Sequence, residues 1–220
     1  MNPTRVTSHR HTEPVQEGVI QFELVHRHTP LVGLECDASR ELGAWREILR
    51  RLQLIGQSDG RYHGLGFGNL SCRIPPWSGG ARRFVITGSQ TGRLDRLSTA
   101  DYAVVDRCDG HRVVSHGETV PSSESTTHGV IYELAHHVRW VFHGHSPEIW
   151  NADEWPTTHA SAGYGTAAMA DEVRNLWRTS VLPEVRLLVM GGHEDGVISF
   201  GRSPDAALAP LVRALARSLR

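Results

Sequence analysis

Four short apolar runs, Asn69–Ile74, Arg83–Thr87, Tyr102–Asp106 and Val113–Ser115, follow one another closely, and that spacing limits the fold more than any other feature. The first two are separated only by Pro75–Gly80, which packs two prolines and two glycines and reads as a turn. A parallel pair needs a crossover of about a dozen residues or more, so links this short favour antiparallel pairing. Helical periodicity is interleaved with the strands. Glu41–Leu54 places Leu42, Trp45, Ile48, Leu49 and Leu52 on one face with Ser39 as its N-cap, and Ser123–His137, Ala167–Trp177 and Pro204–Leu219 follow. Further strands are read at Val19–Val25, Arg139–Phe142, Arg186–Met190 and Val197–Phe200. The pattern predicts an α/β domain over 39–220. Residues 1–38 form an N-terminal extension with one strand, of which 1–17 is a frayed polar tail.

Composition removes several chemistries. All 23 basic residues are arginine, so neither a Schiff-base lysine nor a phosphate-loop lysine can be built. A formal net charge of −1 gives no electrostatic footprint for nucleic acid, and no apolar run is long enough for a membrane span. The first 17 residues lack an apolar core and do not read as a secretory signal. Cys36, Cys72 and Cys108 show no CxxC spacing, which makes a reducing cytoplasm the expectation. Arg50-Arg51 and Arg82-Arg83 read as solvated faces, and Trp45, Trp140 and Trp177 as core.

Fourteen histidines invite a search for a metal site. His143 and His145 are two apart at a strand end, so both imidazoles share a face and can reach one ion. His193, set in Met190-Gly-Gly-His193, sits on a turn that glycines allow to be tight; His159 competes with it as a third ligand. Glu124 opens a helix and is read either as a cap or as a general acid/base facing the metal. His128 lies on the same helix face and reads as a packed histidine bonded to a backbone carbonyl. Ser122 and Ser123 at that helix start, and the glycine loops Gly64–Ser71 and Thr87–Gly92, are candidate anion cradles.

In order and spacing, Gly68-Asn69-Leu-Ser71-Cys-Arg73, Ile86-Thr87…Thr91-Gly92, Ser122-Ser123-Glu124, His143-Gly-His145-Ser146 and His193 resemble the class II aldolase/adducin family, over about Glu41–Gly201. The resemblance implies a three-layer α/β/α fold with a central, largely antiparallel sheet, assembled as a homotetramer with sites between subunits. It implies His143, His145 and His193 as ligands of a divalent metal, Zn2+ first and Mn2+, Co2+ or Fe2+ after it. Glu124 becomes the catalytic acid/base, while Asn69, Thr91, Gly92, Ser122 and Ser123 hold a phosphate or similar anion of a small-molecule substrate. The implied activity is that of a lyase acting through a metal-stabilised enediolate, with epimerase, dehydratase and decarboxylase reactions close by. Without lysine, an enediolate formed next to a carbonyl must be stabilised by such a Lewis acid. Two other classes stand beside it: a non-heme iron oxygenase, with Glu124 replacing His193 as a ligand, and a non-catalytic adducin-like scaffold. The stretch from His145 to His193 is shorter than in the sugar-phosphate aldolases. It has no counterpart of the tyrosine that those enzymes lend across the subunit interface; Tyr164 belongs to a different position.

Overall fold

The computed structural model describes residues 18–77 and 82–219. The polar tail at 1–17 and the end of the Pro75–Gly80 turn lie outside the described residues. The elements run β1 (Glu23–His28), α1 (Leu34–Arg51), β2 (Gly56–Gln57), β3 (Gly66–Phe67), β4 (Asn69–Arg73), β5 (Phe84–Thr87), β6 (Tyr102–Cys108) and β7 (Arg112–Gly117). They continue with α2 (Ser125–Leu134), β8 (Trp140–His145), α3 (Pro147–Trp150), α4 (Ala167–Thr179), α5 (Leu182–Val185), β9 (Leu187–Val189), β10 (Gly196–Gly201) and α6 (Pro204–Ser218). Eight strands form one sheet in the order β1-β7-β6-β5-β4-β8-β10-β9. Every pairing in it is antiparallel except β1 with β7. β2 and β3 make a separate small hairpin inside the glycine-rich stretch.

Period-two alternation divides the strands between two cores. Trp140 and Phe142 of β8, Val85 of β5 and Val197 of β10 pack with Leu42 and Leu49 of α1 and Leu211 of α6. Val141, Phe84, Ile86, Ile198 and Phe200 point the other way, onto Val130 and Ile131 of α2 and Met169 and Val173 of α4. The fold is therefore a mixed α/β sandwich of helices on both faces of a largely antiparallel sheet. Trp140 is buried, while Trp45 and Trp177 lie partly buried against the two cores.

Several boundaries move from their expected places for physical reasons. The first strand is Glu23–His28, not Val19–Val25. Its partner β7 fixes the register from Glu23 opposite Arg112 to His28 opposite Gly117, while the Val19 N–H is given to the Tyr164 hydroxyl (3.2 Å). Helix α1 begins at Leu34 after a left-handed Gly33, and the Glu35 carboxylate accepts the Val32 N–H at 3.1 Å. Ser39 is thus inside the helix and donates to the Cys36 carbonyl instead of capping. Helix α2 stops at Leu134, where Ala135 turns extended. Arg83 is not merely solvated: it donates to Glu35 and to Asp106 in a half-buried cluster.

One polar contact pins α2 to the sheet. The Ser71 hydroxyl lies 2.7 Å from His128 Nδ1 and 2.8 Å from the Tyr132 hydroxyl, and all three side chains are buried. His128 is therefore packed, as expected, but against a serine hydroxyl and not a backbone carbonyl. Burial lowers its pKa to about 3, although Glu124 nearby works in the opposite direction. The unfolded chain, with an ordinary histidine near 6.5, binds this proton far more readily. Stability contributed by the neutral imidazole is then intact above about pH 6.5 and drains away as pH falls toward 3. His128→Gln should flatten the acid limb of a denaturant-derived stability profile by up to ~1.4 kcal/mol per pH unit. An unchanged slope between pH 6.5 and 5 would show that His128 is not held neutral.

Candidate metal centre

Strand β8 delivers two imidazoles to one point. His143 and His145 have the parity of Val141 and so emerge on the α2 side of the sheet. Both are buried, and their Nε2 atoms are 3.1 Å apart. His143 lies opposite Asn69 of β4 on one side and Ile198 of β10 on the other, which places the Asn69 side chain on the same face. The His193 ring arrives from the β9–β10 connection, stacked on His143 at 5.1 Å and edge-on to His145 at 4.7 Å. Its turn is tight because the segment around Thr158–Ala162 lies directly on it: a Cβ at Gly192 would sit 2.1 Å from the Ala162 carbonyl oxygen. Among the described residues, ligand-capable atoms of His143, His145 and His193 lie within 4.8 Å of one another. His159 is excluded from the group, being exposed with its Nδ1 2.7 Å from the Ser161 hydroxyl.

Glu124 occupies the N-cap position of α2, yet its side chain makes no capping bond. Oε2 lies 3.2 Å from His143 Nε2 and accepts from Asn69 Nδ2 at 3.2 Å, and Oε1 lies 2.9 Å from His193 Nδ1. The carboxylate is turned toward the histidines, so the capping reading gives way. Burial pushes against its ionisation, but His143 and His193 outweigh that and hold the carboxyl at about 2. His145 is carried well below the usual histidine value, by burial first and then by its His193 and His143 neighbours. It is a neutral imidazole with a lone pair.

These residues fit a divalent ion on two counts. His143 Nδ1 is 3.1 Å from the Val197 carbonyl, the kind of partner that fixes a ligating imidazole's tautomer and turns Nε2 toward the centre of the group. Nitrogens about 2.0–2.1 Å from a tetrahedral ion stand roughly 3.3 Å apart, close to the Nε2–Nε2 spacing seen here.

The expected anion residues also converge. Asn69, Thr91, Gly92, Ser122 and Ser123 line one small cavity beside Glu124. The Ser122 N–H bonds the Thr87 carbonyl, and its hydroxyl receives the Glu124 N–H at 3.3 Å. Arg46, buried in α1, clamps the loop from beneath by donating to the carbonyls of Thr91, Gly92 and Asp95. Sequence patterning missed Arg46, and it missed the aromatic wall of the site. Tyr62 packs edge-on to His145 at 4.6 Å, and its hydroxyl donates to Asp195 at 2.6 Å. Phe67 lies 5.4 Å from His145, and Tyr164 lies 4.8 Å from His193. Phe67 between two glycines was the one available signal, since an aromatic in such a loop has to pack on something.

Residues 58–215 match the family described as Class II Aldolase and Adducin N-terminal domain. Comparison with curated proteins finds no match. Solved structures of similar fold include L-fuculose 1-phosphate aldolase, 20% identical with TM-score 0.56, covering 85% of this chain and 91% of that one. Sugar-phosphate aldolase from Thermotoga maritima is 14% identical with TM-score 0.60, over 86% and 96% of the two chains. YgbL from Escherichia coli is 14% identical with TM-score 0.61, over 85% and 89%. With the family match extending over most of its length, the chain belongs to the class II aldolase and adducin N-terminal domain family.

Proposed function

We propose that this protein is a divalent-metal-dependent lyase that cleaves or rearranges a small hydroxy-carbonyl compound. Epimerisation, dehydration and decarboxylation are the neighbouring reactions. The observation that carries the reading is the meeting of three buried imidazoles with a buried carboxylate, 2.9 and 3.2 Å from two of them. His143, His145 and His193 would hold the ion. An all-imidazole set suits zinc, with manganese, cobalt and iron as alternatives. Bound there, a divalent ion supplies Lewis-acid polarisation of a substrate carbonyl and stabilises the negative charge that develops beside it.

The remaining work falls to the chain's own groups. Glu124 takes and returns the proton at the carbon next to the carbonyl, and the Asn69 amide holds its Oε2 in place. Thr91, Gly92, Ser122 and Ser123 orient the anionic end of the substrate. Tyr62 and Phe67 cover His145 and keep water from that side. Family membership supports this class of chemistry. The similar structures bear names that span aldolase, epimerase and decarboxylase, which is why the reaction is given at that breadth. The close grouping of the three imidazoles favours a three-histidine set over the two-histidine, one-carboxylate set of an iron oxygenase. An adducin-like scaffold has no use for such a group. The resemblance supports a homotetramer, and the free thiols of Cys36, Cys72 and Cys108 support a reducing, cytoplasmic setting.

Elemental analysis tests the ligands. His143→Ala and His193→Ala should each lose the roughly one metal ion per chain that a three-histidine site holds, while His159→Ala keeps it. Metal retained in either of the first two would break the assignment. Solvent-deuterium exchange into hydroxyacetone, followed by NMR, tests the proton transfer. Glu124→Gln should keep its metal and slow that exchange by about 10²–10⁴-fold. Exchange at the unsubstituted rate would return Glu124 to a purely structural role at the helix start.

A further inference from the structure

The candidate centre is closed to solvent. His143 and His145 have almost no exposure, and the cavity that the anion-binding residues line beside Glu124 has an open volume of about 30 Å³. One water needs roughly 10–15 Å³, so two or three oxygen-sized atoms fill that space. A hydroxy-carbonyl compound with an anionic end is larger, and a wall has to move before it can enter.

Most of the wall is fixed. Asn69 belongs to β4, and Ser122 and Ser123 lead into α2. On the hairpin side the backbones touch: a Cβ at Gly92 would lie 2.5 Å from Gly66 Cα and 2.5 Å from the Gly56 carbonyl oxygen. Arg46 grips the same loop through the carbonyls of Thr91, Gly92 and Asp95.

Gly18 supplies a wall of a different kind. Residues Gly18–Gln21 cross from the loop after β5 to the segment before α4. Gly18 rests on the side-chain amide of Gln90, which leaves no room for a side chain at Gly18, and Gln90 is itself a left-handed residue other than glycine. The Gly18 carbonyl accepts from the Ser89 hydroxyl at 3.4 Å. At the other end both bonds go to Tyr164: the Val19 N–H to its hydroxyl at 3.2 Å, and Gln21 Nε2 to its carbonyl at 2.8 Å. Tyr164 in turn reaches both halves of the site. Its ring lies 4.8 Å from His193, and Gly163 before it is bridged to Gly192. Gly165 after it lies so close to Ser123 that a Cβ would stand 2.4 Å from the Ser123 carbonyl oxygen.

This crossing is lightly held. The ladder with β7 starts only at Glu23, Phe22 packs partly against the core, and Val19 is exposed. Among the described residues three hydrogen bonds hold Gly18–Gln21, and the one at 3.4 Å is weak. A segment tied in this way opens locally while the sheet beside it stays intact.

We infer that Gly18–Gln21 is a strap across the substrate entrance. Seated, it closes the anion cavity and holds Tyr164 against His193; it lifts at Phe22 to let the substrate in. The inference rests on the metal-dependent reading above and adds how a substrate reaches that centre.

Stopped-flow binding of acetohydroxamate, a small metal chelator, to the cobalt-loaded full chain tests it through the visible spectrum of the cobalt. Val19→Pro combined with Gln21→Ala removes both hydrogen bonds to Tyr164. The pair should raise the association and dissociation rates together, each by about tenfold, as expected when two hydrogen bonds no longer favour the closed form. Gln21→Ala alone, the milder change, should move both rates in the same direction. A contact merely lost from the bound state would raise dissociation alone. Gln57→Ala, which releases the Gly64 carbonyl in the hairpin on the opposite side, should leave both rates unchanged. Unchanged rates in the strap variants, faster dissociation alone, or equal acceleration by Gln57→Ala overturns the inference and leaves the metal reading intact. Cobalt uptake without any binding of acetohydroxamate also overturns it, because a strap that lifts admits so small a chelator. Failure of the unsubstituted chain to take up cobalt would remove the metal reading and this inference together.

Discussion

Everything around the candidate centre depends on how a carboxylate and three imidazoles are buried together on one face of the sheet. Glu124, His143 and His145 have almost no exposure to solvent, and His193 has little. Unpaired, any one of them would cost several kcal/mol to bury. They are tolerable because each answers another: Glu124 lies against His143 and His193, Asn69 donates to Glu124, and Val197 gives its carbonyl to His143. Remove the carboxylate and His143 and His193 lose the buried group they face; remove those imidazoles and Glu124 is a bare buried anion.

The surrounding fold makes that arrangement rigid. β8 is a central strand, held by β4 and β10, so the His143–His145 spacing is set by sheet geometry and not by a loop. Ser71 ties His128 and Tyr132 to β4 and thereby fixes the helix whose N-cap position holds Glu124. The Tyr62 to Asp195 bond closes the β2–β3 hairpin over the turn that holds His193. Groups meant to stay fixed while charge moves between them are best placed on elements that cannot drift.

Much of this was legible in the sequence, and the divide is physical. His143 and His145 were readable because a strand's period of two fixes their common face without tertiary information. The antiparallel sheet followed from turns too short for crossovers. His193 and His159 could not be ranked from spacing, since the choice depends on how the segment after Pro156 packs on the glycine turn. Glu124 was ambiguous for a similar reason: the same residue type suits a helix start and a catalytic pocket, and only the direction of its side chain separates them. The first strand was misplaced because alternation at Val19–Val25 is local, whereas the register with β7 is set at a distance. Arg46 and Tyr62 carried no signal, because their partners are backbone carbonyls and a ring brought near by folding.

The most direct test of the central claim is an anomalous difference map from crystals of the untagged full chain grown with zinc, recorded on either side of the zinc absorption edge. The account predicts one strong peak per chain within bonding distance of imidazole nitrogens of His143, His145 and His193, with the Glu124 carboxylate beside it. A map with no peak there, or with zinc held at His159 or another surface histidine instead, would contradict it.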